Sequence, residues 1–444
     1  MEGQLEATIG QKITDGTTFS VPVLTRRDIR LPGVPGKALA VIGMRRAGKT
    51  SFLWQCLADR VAAGTPREAL LYFNFEDERL DGLDASRLHL LVEEYFRRYP
   101  EWRDSAPDKS GVTFFFDEIQ LVAGWERFLR RLMDTERVQL FVSGSSARLL
   151  SREVATSMRG RALEVLVHPF SFREALRHRG AEPARGKSWN ALSRGERSGI
   201  EKHLRTWLVE GGFPEAQSLD ARDRRDVLRS YADVALLRDV IERHGVSNPV
   251  ALRWMLGHFL ANPAAPFSAN KFGDVLRSQG IPVAKDTVHA YLAYIEDAFI
   301  VRTVGLHTAS ERQRMVNPRK GYPVDQGFIP LYERTGRENL GHALETAVLV
   351  ELERRGAETG YLKTAGGNEV DFHVRLPDGE VWLIQVCANT GSPETLAREV
   401  RALEEAAAEH PRAAPLLVSM DTQRPAGLPA GIGWQTAAAW LLEC

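Results

Sequence analysis

Ala38-Leu-Ala-Val-Ile42-Gly43-Met44-Arg45-Arg46-Ala47-Gly48-Lys49-Thr50-Ser51-Phe-Leu-Trp-Gln-Cys-Leu-Ala-Asp59 is the stretch on which the reading of this chain turns. Five apolar residues predict a buried strand, a turn bounded by glycines follows at once, and the residues from Ser51 have the pattern of a helix. A phosphate-binding loop needs that order, because glycines let successive backbone N–H groups curl round an anion at the positive end of a helix. Lys49 is then placed to reach the outer phosphates of a nucleotide and Thr50 to hold magnesium. Gly43, Arg45, Arg46, Ala47, Gly48 and Ser51 complete the expected cradle.

Further along, Ala69-Leu-Leu-Tyr-Phe-Asn-Phe75 and Val112-Thr-Phe-Phe-Phe116 predict two more buried strands, the second ending in Asp117-Glu118. An apolar strand that delivers two carboxylates beside a phosphate loop is a Walker B strand. Asp117 is expected to orient magnesium, and Glu118 to polarise the attacking water. A strand between the loop and Asp117 is the mark of P-loop ATPases of the additional-strand class. A fourth strand, Val138 to Val142, ends in Ser143-Gly-Ser145-Ser146, where hydroxyls either sense the terminal phosphate or simply form a turn. Arg159 and Arg161 precede a fifth strand. An arginine there neutralises charge on the transferred phosphoryl group, in its own subunit or in a neighbour, or else pairs on the surface with Glu76, Asp77 or Glu78.

The middle of the chain is helical, with Gly211-Gly212-Phe-Pro214 as a helix stop. Leu252, Met255, Leu256, Phe259 and Leu260 then share one helix face, a short helix stops at Gly280, and a third carries Val288, Tyr291, Leu292 and Ile295 before a strand at 299–304. Three short helices and a ribbon predict a winged helix. Lys285 and His289 on its third helix, with Arg312, Arg314, Arg319 and Lys320 on the connection, are its candidate nucleic-acid contacts, although such modules also serve as protein-packing units. In the last hundred residues, a helix with Glu345, the strand Glu369-Val-Asp371-Phe-His-Val374 and the strand Val381 to Cys387 follow the layout of a nuclease-like α/β core. Glu345 and Asp371 are candidate metal ligands there, or remnants of them. Gln385 and Cys387 stand where such cores carry a third ligand and a lysine, which predicts weak or absent cleavage. Lys363 stands in for that lysine only if the preceding hairpin has a three-residue loop.

The 444 residues suggest about three domains. With 58 basic and 58 acidic residues the net charge is zero, which argues against a polybasic tail but does not exclude a local basic face. Cys56, Cys387 and Cys444 lack paired or metal-like spacing, so a disulfide framework and a structural zinc site are not expected and a reducing cytoplasm is. No apolar run approaches the roughly 18 residues of a membrane span, and no export signal is read.

Taken in order, these motifs resemble a broad family of bacterial and archaeal AAA-type ATPases. The resemblance is carried by Thr25 to Asp28, the Gly-x-Arg-Arg-x-Gly-Lys-Thr loop, Asn74-Phe-Glu76-Asp77, Asp117-Glu-Ile-Gln120, Ser143 to Ser146, Gly160-Arg161, Pro169 to Phe172, Gly211 to Pro214, Tyr322 to Gly327 and Glu369 to Phe372, and covers residues 24 to 444. It implies ATP binding and hydrolysis with magnesium. The fold class it implies is a P-loop NTPase parallel sheet of the additional-strand, AAA-like class, followed by a winged helix and a C-terminal restriction-endonuclease-like α/β domain. The expected partition is an N-terminal arm (1–36), a P-loop ATPase core (37–175), a helical lid (176–248), a winged helix with its basic connection (249–322) and a nuclease-like domain (323–444). A nucleotide-driven switch or motor on DNA is the leading expectation. An ATP-regulated endonuclease and an ATP-binding signalling adaptor with a protein partner are the alternatives, and a homo-oligomer would follow if an arginine acts in trans.

Overall fold

A computed structural model of the chain describes residues 2–103, 111–144, 158, 160–333 and 339–443, and divides into two units, Met1–Val167 and His168–Cys444. Ser145, Ser146 and Arg159 lie outside the described residues.

In the first unit, α1 (Glu2–Thr18), β1 (Ala38–Ile42), α2 (Lys49–Ala62), β2 (Leu70–Asn74), α3 (Leu88–Arg98), β3 (Thr113–Asp117), α4 (Trp125–Thr135), β4 (Gln139–Ser143) and β5 (Ala162–Leu166) follow one another. All five strands are parallel, in the order β2-β3-β4-β1-β5. Burial on both faces of β1, β3 and most of β4 explains their nearly unbroken apolar sequences. The insertion of β4 between β1 and β3 is the additional strand. Half of the N-terminal arm is helical: Leu5, Ile9, Ile13 and Thr17 recur every fourth residue on α1 and are all buried. This helix packs on β2 and α3, with Gly16 so close to the Tyr72 carbonyl that a Cβ would collide with it.

The second unit begins with α5 (Phe172–His178), α6 (Arg194–Glu210) and α7 (Ala221–Val234). Ser171 and Ser193 open the first two with complete capping boxes, closed by Glu174 and Glu196. After α6 the glycines do more than end a helix. Gly211 has φ +80°, and a Cβ on it would run into Asp325, whose carboxylate accepts the N–H groups of Gly212 (2.8 Å) and Gly327 (2.9 Å). Then come α8 (Pro249–Ala261), β6 (Pro266–Phe267), α9 (Ala269–Ser278), α10 (Lys285–Asp297), β7 (Val301–Val304), α11 (Glu311–Val316) and β8 (Arg319–Pro323). Here β6, which lies between α8 and α9, joins β8 and β7 in a small antiparallel sheet, and the basic connection contains the short helix α11.

The unit closes with α12 (Leu340–Arg354), β9 (Glu358–Lys363), β10 (Glu369–Arg375), β11 (Val381–Cys387), α13 (Pro393–Glu409), β12 (Ala414–Ser419), β13 (Gly433–Thr436) and α14 (Ala437–Leu442). The sheet order is β13-β12-β11-β10-β9, antiparallel from β9 to β11 and parallel from β11 to β13. One apolar core joins Leu344 and Val348 of α12 to Phe372, Ile384 and Val418, and a second joins Leu403 and Ala406 of α13 to Leu362, Val370 and Leu383. A register shift in β10 between Val370 and His373 lets Val370 and Phe372 enter different cores, which strict alternation forbids. Asp371 sits at that irregularity. The β9–β10 loop is the three-residue one, with the Thr364 N–H on the Asn368 carbonyl at 2.9 Å, so Lys363 pairs opposite Glu369.

Candidate functional site

The phosphate loop is built as its sequence requires. Gly48 caps α2 in the left-handed region at φ 100°, and Gly43, at φ 146°, passes so close to the Val167 carbonyl that a Cβ would not fit. Lys49 is buried, with Nζ 3.1 Å from both the Gly43 and Met44 carbonyl oxygens, lying along the loop where phosphate oxygens would draw it. Thr50 Oγ1 donates to Asp117 Oδ2 at 2.8 Å, so the loop and the end of β3 meet although β4 lies between their strands. A hydroxyl and a carboxylate side by side are hard oxygen donors that suit magnesium. Tyr72 donates to the same Asp117 oxygen at 2.7 Å, while Ser143, fully buried, donates to the other and accepts the Glu118 N–H at 3.1 Å. Ser143 therefore orients the Asp117-Glu118 pair.

Glu118 is a non-glycine residue at φ 55°, held in a sparsely populated backbone region immediately after β3. Burial pushes its carboxyl above the usual range, Asp117 adds to this, and Lys49, Gln120 and Arg45 oppose it. A base with raised affinity for a proton suits water activation. Behind the loop, Arg27 is buried and donates from Nη1 to the Ala47 carbonyl at 3.0 Å. Its backbone exchanges hydrogen bonds with the Gln55 side chain. The Thr25–Asp28 segment thus buttresses the phosphate loop from outside.

A second polar cluster lies in the second unit. Lys320 of β8 is only 3% exposed, and its ammonium stands 2.7 Å from Glu369, 3.5 Å from Asp371 and 3.6 Å from Glu345. Burial works against that ammonium, and the three carboxylates outweigh burial, so its pKa is raised. Asp371 is pushed well up by burial and by Glu345, while accepting the Val386 N–H at 2.9 Å. Tyr322 donates to Glu345 at 2.8 Å. Gln385 does not join them: it accepts the Asp371 N–H at 3.2 Å and donates to Glu399 of α13 at 2.6 Å.

Comparison with known proteins follows the same division. The AAA domain family matches residues 35–176, and a domain of unknown function matches residues 201–336. An uncharacterized protein of Methanocaldococcus jannaschii is 30% identical over 384 residues, 86% of this chain and 81% of that protein. The chain belongs to the AAA-type P-loop ATPase family. An uncharacterized protein of Haemophilus influenzae is 28% identical over 349 residues, 78% of this chain and 81% of that one. Among solved structures, a Walker-type ATPase of Pyrococcus abyssi is similar at 15% identity over 73% of this chain and 94% of its own, with a TM-score of 0.40.

Several expectations for this ATPase need correction. Arg161 is not at the nucleotide end of the sheet: its carbonyl accepts the Ala38 N–H at the amino end of β1, the full length of the strand or about 16 Å from the loop, and its guanidinium pairs with Asp134 at 2.5 Å. It does not serve the phosphate site of its own chain. Lys320 is not a phosphate contact on the basic connection, because it is buried among carboxylates. Lys285, His289, Arg312, Arg314 and Arg319 are exposed. The ammonium that Cys387 cannot supply comes from another strand, and the Cys387 thiol, pushed up to about 11 chiefly by burial, is no nucleophile. Motif reading missed Arg27 and Tyr72, and gave Lys320 a different role. Only Arg27 carried a signal, as part of the Thr25–Asp28 segment.

Proposed function

We propose that this ATPase binds ATP with magnesium at Gly43–Ser51, hydrolyses it through Glu118, and uses nucleotide state as a switch or motor acting on DNA. The observation that carries this reading is the Thr50–Asp117 contact of 2.8 Å, which joins the phosphate loop to the carboxylate strand in one oxygen-donor site. Bound magnesium would neutralise charge on the outer phosphates. The chain's own groups do the rest: Lys49 binds phosphate, Ser143 fixes Asp117, and Glu118 takes the proton of the attacking water. The DNA partner is supported by the exposed cations of α10 and the basic connection, which suit phosphate contacts without base reading. We read the parts as core, lid, winged helix and nuclease-like domain, working in a reducing cytoplasm. Arg161 would serve a phosphate site only from a neighbouring copy, and Arg159 either in its own subunit or in a neighbour. Among the described residues no helix is long and apolar enough to cross a membrane.

The test is ATP turnover by wild type, Lys49→Ala and Glu118→Gln, with and without duplex DNA at two salt concentrations. Turnover abolished in both variants and stimulated by DNA at low salt is the expected result. Tight ATP binding without turnover would overturn the motor and leave a nucleotide-held adaptor with a protein partner.

The Lys320 ammonium among Glu345, Glu369 and Asp371 favours a second reading, an ATP-regulated metal-dependent endonuclease. Its mark is nicking of DNA in magnesium or manganese that vanishes in Asp371→Ala while ATP turnover persists.

A further inference from the structure

Three imidazoles that no motif singled out meet in the second unit. After β7 the backbone runs on beside β9, where Leu306 bridges Tyr361, the His307 N–H reaches the Tyr361 carbonyl at 2.7 Å and the Tyr361 N–H reaches the Gly305 carbonyl at 3.0 Å. Gly360 lies opposite His373 in the β9–β10 register, and a Cβ on it would stand 3.1 Å from the His307 Cβ. The missing side chain lets the His307 ring lie across β9 onto His373, with centroids 3.5 Å apart and planes 11° from parallel. His410 ends α13, its N–H on the Ala406 carbonyl at 2.8 Å, and Pro411 prevents the helix from continuing. Its ring stands edge-on to the other two, at 5.7 and 5.5 Å. One nitrogen from each of the three lies within 4.8 Å of the others.

Nothing in the ordinary packing of a core explains this stack. Among the described residues, a hydrogen bond within His373 itself, from its ring to its own backbone, is the one protein hydrogen bond recorded for any of the three rings. Neutral imidazole nitrogens are ligands for zinc, copper, nickel or cobalt rather than for magnesium, which prefers oxygen. On a tetrahedral ion with bonds of about 2.1 Å such nitrogens stand about 3.4 Å apart, so the stacked rings have to turn toward the ion on binding.

We propose that His307, His373 and His410 form a binding site for a transition-metal dication of the zinc class. The ion fastens the segment after β7 to β10 and to the end of α13, three pieces of chain 66 and 37 residues apart in sequence. A cavity of about 500 Å3 lined by His307, His373, Arg314, Arg319, Arg375 and Glu358 gives it an entry path. The arginines that disfavour a bare dication there would favour water or a small anion as its fourth ligand.

The experiment uses the full-length chain, stripped with chelator and held in excess magnesium and ATP so that the oxygen sites are occupied. Zinc chloride is titrated by calorimetry, and cobalt chloride by visible absorption. One equivalent of zinc, a four-coordinate cobalt spectrum with nitrogen ligands and a raised unfolding midpoint are expected. His373→Phe, which keeps an aromatic ring in the stack, and His410→Asn should each weaken zinc at least tenfold, with circular dichroism and ATP turnover unchanged. Asp371→Asn should keep the full equivalent. Absence of stoichiometric zinc in the wild type, or binding abolished in Asp371→Asn and retained in both histidine variants, overturns the proposal.

Discussion

Glu118 carries the largest chemical burden of any single residue here, and its environment sets a pH signature. Its carboxyl is raised by burial, so it is protonated, and useless as a base, at a pH where an ordinary glutamate is ionised. The acid limb of kcat/KM for ATP should therefore lie above the ordinary carboxylate value of about 4.3, with activity rising as pH rises through it. Glu118→Gln should lower kcat by roughly 10²- to 10⁴-fold with ATP affinity retained, as pre-steady-state binding and turnover would report. Lys320 is the second telling residue. Removing its ammonium by Lys320→Met leaves three carboxyl groups facing one another with no cation, and should cost about 3–5 kcal/mol in denaturant unfolding of the second unit. The double variant Lys320→Met/Glu369→Gln should recover part of that loss, since it removes a charge that the lysine had balanced.

Among elements, the α6 terminus shows how two glycines fix a neighbouring turn. Gly211 combines a glycine-only backbone with a direct approach to Asp325, so Gly211→Ala should cost more than about 2 kcal/mol. Gly245, also at positive φ but with nothing within 4 Å, isolates the backbone part, and Gly245→Ala should cost about 1 kcal/mol. Unfolding midpoints of the two variants measured side by side check the difference. The helix α1 teaches the complementary lesson. Residues 1–36 read as an arm from the sequence, whereas Leu5, Ile9 and Ile13 line one buried face of a helix. Gly16→Ala should loosen its seat on β2 and expose residues 2–18 to protease.

For the molecule as a whole, coupling to a partner is the open quantity. If DNA is that partner, Arg314→Glu/Arg319→Glu should weaken binding at low salt and flatten the dependence of log affinity on log salt by about 0.9 for each phosphate no longer neutralised. Basal ATP turnover should not change, because both side chains are exposed in the second unit and belong to no part of the phosphate loop. Equal DNA affinity in wild type and double variant would turn attention to a protein partner.

The insertion of β4 between β1 and β3 was decided by strand pairing, while by itself the sequence determined the strand-loop-helix, the carboxylate strand and the first helix and strands of the C-terminal sheet. Each of these is written in contiguous residues, as an apolar run, a turn or a cap. The β9–β10 loop length was narrowed to alternatives, and only the register chose among them, because turn residues allow more than one loop. Tertiary structure alone decided which groups meet. Lys320 looked like one more surface cation until β8 placed it among Glu345, Glu369 and Asp371, and Arg161 looked poised until strand pairing put it at the far end of the sheet. His307, His373 and His410 have no motif between them at all. The reason is physical: local propensity and hydrophobic periodicity act over a few residues, whereas a polar side chain's charge state and partners are set by chains that arrive from far away in sequence.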